Sequence, residues 1–90
     1  MLLNVDAKLL RAFMENNEDC SALSENEYIV DLYDTDQPVT LDILLEDNEV
    51  QLLAAARLLY DEEMDGWYMG EQILSAEEIL PLLTASMTKK

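Results

Sequence analysis

Carboxylates outnumber cationic side chains by 20 to 5 in this ninety-residue chain, for a formal charge of −15. Any fold must meet that constraint first. Like charges at this density repel one another over every face of a compact body, so folding needs an apolar core large enough to offset them. Without one, such a charge imbalance reads as disorder. The core is available, because half of the residues are hydrophobic and gather in runs such as Leu9-Leu10, Ile29-Val30, Ile43-Leu44-Leu45 and Leu52 to Leu59. A chain of this size is expected to form a single acidic domain, residues 1–90, near the lower limit for one unstapled core.

The same charge bounds the partners. A surface this acidic is repelled by nucleic acid and by anionic membranes, and basic protein surfaces are what it should seek. The single Cys20 has no internal disulfide partner, which points to a reducing compartment. Met1 to Asp6 lacks a basic region followed by an apolar stretch, and no run approaches the ~20 apolar residues needed to span a bilayer. The expected location is the cytoplasm, or the host cytoplasm if the source is viral.

Apolar positions Val5, Leu9, Leu10, Phe13 and Met14 recur at helical spacing and predict a first helix from Asp6 to about Glu15, with Asn4 or Asp6 as N-cap. Glu18 to Asn26 reads as a loop. Tyr28 to Tyr33 reads as a strand, Asp34 to Pro38 as a turn, and Val39 to Ile43 as a second strand completing an antiparallel hairpin. From Asn48 to about residue 64 the pattern turns helical, with Asn48 and Gln51 at capping-box spacing and Ala54-Ala55-Ala56 permitting close packing. Gly66 is expected to stop that helix, and Trp67 to Gly70 to form a loop. A last helix begins at Ser75, with Leu74 and Ile79 placed as a hydrophobic staple and Pro81 expected to kink or restart it; Lys89-Lys90 reads as a solvated tail. The expected fold class is therefore α+β: a small antiparallel sheet, with a hairpin at about residues 27–44, packed against two or three helices.

Catalysis lacks its usual tools. There is no histidine, and two glycines, Gly66 and Gly70, cannot build a phosphate-cradling loop. No enzyme activity, cofactor or metal centre is expected. Calcium is the nearest alternative, because Asp61, Glu63, Asp65 and Gly66 occupy positions one, three, five and six of a loop that loosely resembles a degenerate EF-hand; Tyr68 at position eight and Gln72 at position twelve depart from that pattern. Tyr28 to Asp34, with Val39-Thr40-Leu41 and Leu44-Leu45, resembles the closing strands of an extended Tudor domain over about a quarter of the chain. That family's barrel strands and aromatic cage have no counterpart upstream.

Two acidic runs flank the expected central helix. Asp42, Glu46, Asp47 and Glu49 precede it, where the helix macrodipole favours negative charge. Asp61, Glu62, Glu63 and Asp65 follow it, where the dipole opposes them and lysine would be the ordinary choice. A local rule broken repeatedly points either to a functional site or to the solvated end of a helix in a protein that is acidic throughout. Trp67, Tyr68 and Met69 divide the same way, as a binding hot spot or as a cap folded over the core.

With Lys8, Arg11, Arg57 and the terminal lysines as the only cations, most carboxylates must face solvent or a partner. Carboxylates arrayed on a rigid surface imitate the phosphates that lysine- and arginine-rich grooves recognise. In size and acidity the chain resembles phage-encoded inhibitors of host defence, anti-CRISPR proteins among them. That resemblance implies a nucleic-acid mimic that blocks a basic nucleic-acid-binding enzyme or CRISPR effector, or a restriction enzyme, without a cofactor. The expected contact residues are Asp61, Glu62, Glu63, Asp65, Trp67 and Tyr68, with Asp31, Asp34, Asp36, Asp42 and Glu46 around the hairpin as a looser set. The rival reading is an acidic structural or adaptor subunit that docks through an apolar surface, its charge serving solubility alone. A homodimer is compatible with either.

Overall fold

The computed structural model describes residues 2–33, 35, 37–72 and 75–88. The element order is β1 (Leu2–Leu3), α1 (Ala7–Glu15), β2 (Cys20–Ala22), β3 (Glu27–Leu32), β4 (Val39–Glu46), β5 (Glu49–Asp61), β6 (Gly66–Gln72) and α2 (Ala76–Thr88). Every strand pairing is antiparallel. The six strands run β1-β5-β4-β3-β2, with β6 also hydrogen-bonded to β5. Gln51 pairs with both Leu44 and Leu2, and Ala56 with both Thr40 and Gln72. The edge of β5 away from β4 is therefore shared by β1 at one end and β6 at the other.

This architecture corrects the sequence reading in its largest element. Strand accounts for 47% of the described residues and helix for 27%, so the molecule is mainly a sheet with two helices upon it, and the helix expected over residues 48–64 does not exist. That stretch is the thirteen-residue strand β5, at the centre of the sheet. Its alanines and leucines have high local helix propensity, but both of its edges find strand partners, and pairing with packing overrides propensity. Gly66 opens β6 where a helix stop was expected, and Trp67 to Gly70 lie within that strand. Two short strands, β1 and β2, fall where no element or a loop was expected.

Turn chemistry decides the matter. Asp47 and Asn48 adopt φ values of 50° and 67° between the paired residues Glu46 and Glu49, as a two-residue primed hairpin turn demands. Asn48 is thus a turn residue and not a helix cap. The β5–β6 connection closes between Asp61 and Gly66, with Asp65 at φ 51°. Aspartate and asparagine tolerate this left-handed region better than other side chains.

The remaining elements follow the sequence closely. Asp6 caps α1, its carboxylate accepting from the backbone N–H groups of Lys8 at 2.8 Å and Leu9 at 3.2 Å. The β3–β4 hairpin falls where the alternation placed it. In α2, Ser75 accepts from the N–H groups of Glu78 and Ile79, and Pro81 lies inside a helix that runs from Ala76 to Thr88 without restarting. The expected staple partner Leu74 and the tail Lys89-Lys90 lie outside the described residues.

Both helices sit on one face of the sheet. Leu10 and Met14 of α1 and Ile79 and Leu83 of α2 join Val30, Leu32, Val39, Leu41, Ile43, Leu45, Val50, Leu52 and Ala55 in one buried core. Alternation then sends Ile29, Asp31, Thr40, Asp42, Leu44, Ala54 and Ala56 to the other face, over which no described helix lies. Among the described residues no helix is long and apolar enough to cross a membrane.

Candidate partner-binding face

The bare face of the sheet carries an aromatic strip near the tip of the β5–β6 hairpin. Tyr60 and Trp67 are cross-strand register partners, and their ring centroids stand 5.3 Å apart at 59°. Tyr33, immediately after β3, packs on the same indole with centroids 5.3 Å apart at 52°. These are the tilted geometries that aromatic quadrupoles favour. Trp67 and Tyr60 each keep 46% of their surface exposed, and Met69, two residues along β6, keeps 67%. The strip is therefore a surface feature and not a cap over the core.

Carboxylates bind both ends of the strip. The Tyr33 hydroxyl donates to Asp31 Oδ2 at 3.4 Å, and the Tyr60 hydroxyl donates to Asp65 Oδ1. The phenol of Tyr60 is held above its usual range first by that hydrogen bond and then by desolvation. Tyr33 is raised first by burial and then by the charges of Asp31 and Asp19. Both tyrosines thus remain neutral donors, committed to their carboxylates.

Next to the strip, around Ala54 and Ala56, the small side chains leave an open depression of about 410 Å³ bounded by Ile29, Thr40, Asp42 and Met69. Asp42 Oδ1 is shielded from water and accepts no hydrogen bond among the described residues. Glu27, on the same face, has its carboxyl raised, first by a hydrogen bond with Asp42, then by partial burial and by the Asp42 charge.

The expected contact residues are only partly brought together. Asp31, Asp65 and Trp67 meet at the strip. Asp42 lies mid-face, and Glu46 sits beside the β4–β5 turn at the far end of the thirteen-residue strand, about 40 Å from Asp61 at ~3.4 Å per residue. Tyr68 alternates to the opposite side of β6, beside Leu59. Asp34 and Asp36 lie outside the described residues.

The macrodipole account of both acidic runs lapses with the helix, since Glu46, Asp47 and Glu49 belong to one hairpin end and Asp61 to Asp65 to another, while Asp42 lies in the middle of β4. Asp61 Oδ1 accepts from the Glu63 N–H at 2.9 Å, and Asp65 supplies the left-handed turn residue, so these two have structural work at the turn. Glu62 and Glu63 project from the tip as exposed charges. The loop resembling an EF-hand is this same hairpin and follows a strand, so the flanking helix it required is missing.

Tyr33, Tyr60 and Leu53 are not among the contact residues the sequence suggests, whereas Met69 is, as part of the Trp67-Tyr68-Met69 group. The Asp-Gly at 65–66, flanked by aromatics at 60 and 67, was the available signal for a hairpin with a cross-strand pair. Among the described residues one ion pair forms, Arg57 Nη2 to Glu78 Oε2 at 3.9 Å, and it is exposed enough to contribute little. Cys20 is free, and its thiol is raised by burial first and then by Asp31, which suppresses the reactive thiolate. No family model, curated protein or solved structure matches the chain.

Proposed function

We propose that this chain is a stoichiometric binding protein that seats the bare face of its sheet, Trp67 end foremost, on a lysine- and arginine-rich surface of a nucleic-acid-handling protein. The observation that carries this reading is the half-exposed Tyr33–Trp67–Tyr60 strip with carboxylates at both ends, on a face over which no described helix lies. Apolar and aromatic centres exclude water at an interface, while a charged rim steers encounter and sets register. A second copy is a poorer occupant, because it would set one charge of −15 against another. A basic groove gains from the same charge. Occupying a nucleic-acid site in this way inhibits or regulates its owner without chemistry, as an anti-restriction or anti-CRISPR protein does.

The adaptor reading has an observation in its favour too. Leu2, Leu53 and Met69 are exposed apolar side chains on strands of this sheet, and an assembly subunit could bury them without any basic partner. Salt separates the two. Affinity capture from cells of the source, or of its host, followed by elution in rising salt, is the test. Mimicry requires that the captured protein handle nucleic acid, leave at moderate ionic strength and be displaced by added nucleic acid. Retention at high salt by a partner unrelated to nucleic acid would transfer the assignment to the adaptor.

A further inference from the structure

We propose that the Tyr33–Trp67–Tyr60 strip is a subsite for an arginine guanidinium of the partner, which stacks on the Trp67 indole while pairing with Asp31 or Asp65. The inference rests on the docking reading above and names the side chain that reading should select. Three features of the strip converge on guanidinium. The indole is flanked by tyrosines on two sides yet almost half exposed, so a planar cation can lie against it. Asp31 and Asp65 each use one oxygen for a tyrosine hydroxyl, Oδ2 and Oδ1 respectively, leaving the second oxygen of each without a hydrogen bond among the described residues. Both phenol protons point to carboxylates, which enriches the rings in electron density and strengthens their attraction for a cation.

Arginine fits this arrangement better than lysine. Its guanidinium is planar, stacks on aromatic faces, sheds water readily and still offers N–H groups in plane to a carboxylate. An ammonium is compact and strongly hydrated, and it would be served as well by any of the other acids on the surface. The strip therefore adds discrimination to a surface whose charge alone attracts both.

Trp67 is the only tryptophan, so its fluorescence reports this site directly in the full chain. The test titrates the protein with capped tetra-arginine and tetra-lysine peptides at equal ionic strength, following Trp67 emission and, in parallel, heat by calorimetry. The expected result is a change of emission with tetra-arginine and affinity about threefold to tenfold tighter than for tetra-lysine. Trp67→Leu should erase that preference, bringing tetra-arginine affinity down to that of tetra-lysine, and Tyr60→Phe should weaken it in part. Equal affinities, or an arginine preference without an emission change, would overturn the subsite and leave the broader docking reading standing. Failure of both peptides to bind would overturn both.

Discussion

Tyr60 and Trp67 face each other across the β5–β6 hairpin, their rings 5.3 Å apart, on the side of the sheet opposite both helices. The pair divides the hydrophobic residues of the molecule into two populations, one that holds the fold together and one that the fold displays. Ile43, fully buried, belongs to the first; Met69 and Leu53, at 67% and 47% exposure, belong to the second. Ile43→Ala should cost about 2–5 kcal/mol, the usual loss for a large core side chain. Met69→Ser and Leu53→Ser should each change stability by less than about 1 kcal/mol. Chemical denaturation of the three variants checks the division.

The turn at Asp47-Asn48 supplies a prediction on which strand and helix disagree in sign. With both residues at positive φ, Asn48→Gly relieves a left-handed side chain and should stabilise the protein by a few tenths to ~1 kcal/mol. In a helix N-cap the same change would be mildly destabilising. Thermal melts of the single variant discriminate the two.

That disagreement marks where the sequence stopped being legible. Helix α1 was readable because its cap, Asp6, and its apolar spacing are local, and the β3–β4 hairpin because Tyr28 to Leu32 and Val39 to Ile43 alternate plainly. Strand β5 was not, since Ala54-Ala55-Ala56 is a good helix sequence, and its pairing with β4 and β6 through the flanking hairpin turns, and with the distant β1, is what makes it a strand. A bulge between its pairings with Asp42 and Ile43 also breaks the alternation at Leu53, hiding the period of two. Of the site, the acidic runs were visible by composition. By sequence Tyr33 is only the end of a strand and Tyr60 one more apolar residue of a helical pattern; their meeting at Trp67 depends on the sheet.

Glu27 provides a pH test. Its carboxyl is raised above the ordinary carboxylate range, first by its hydrogen bond with Asp42. The folded state thus holds this proton more tightly than the unfolded state. The resulting contribution to stability is full below the unfolded pKa and is lost as pH rises through the folded one. Glu27→Gln replaces the proton permanently by an amide donor. Its melting temperature should exceed that of wild type at neutral pH, and the decline from acid to neutral pH should be shallower.

Pro81 lies within α2 and is exposed, so its ring removes a backbone donor where the helix could use one. Pro81→Ala should stabilise the fold by about 1–3 kcal/mol, the gain in helix being partly offset by a freer unfolded chain. Denaturant midpoints at constant m-value would measure it.

The bare face as the partner-binding surface is the central claim, and a paired capture experiment tests it most directly. The wild type, a Trp67→Ser/Met69→Ser variant and a control altered elsewhere at exposed apolar positions, Leu9→Ser/Leu23→Ser, are used to capture partners from the same extract. The account predicts that wild type and control retain the same nucleic-acid-handling protein, released by salt and by added nucleic acid, and that the face variant loses it while remaining folded. Undiminished capture by the face variant would contradict it.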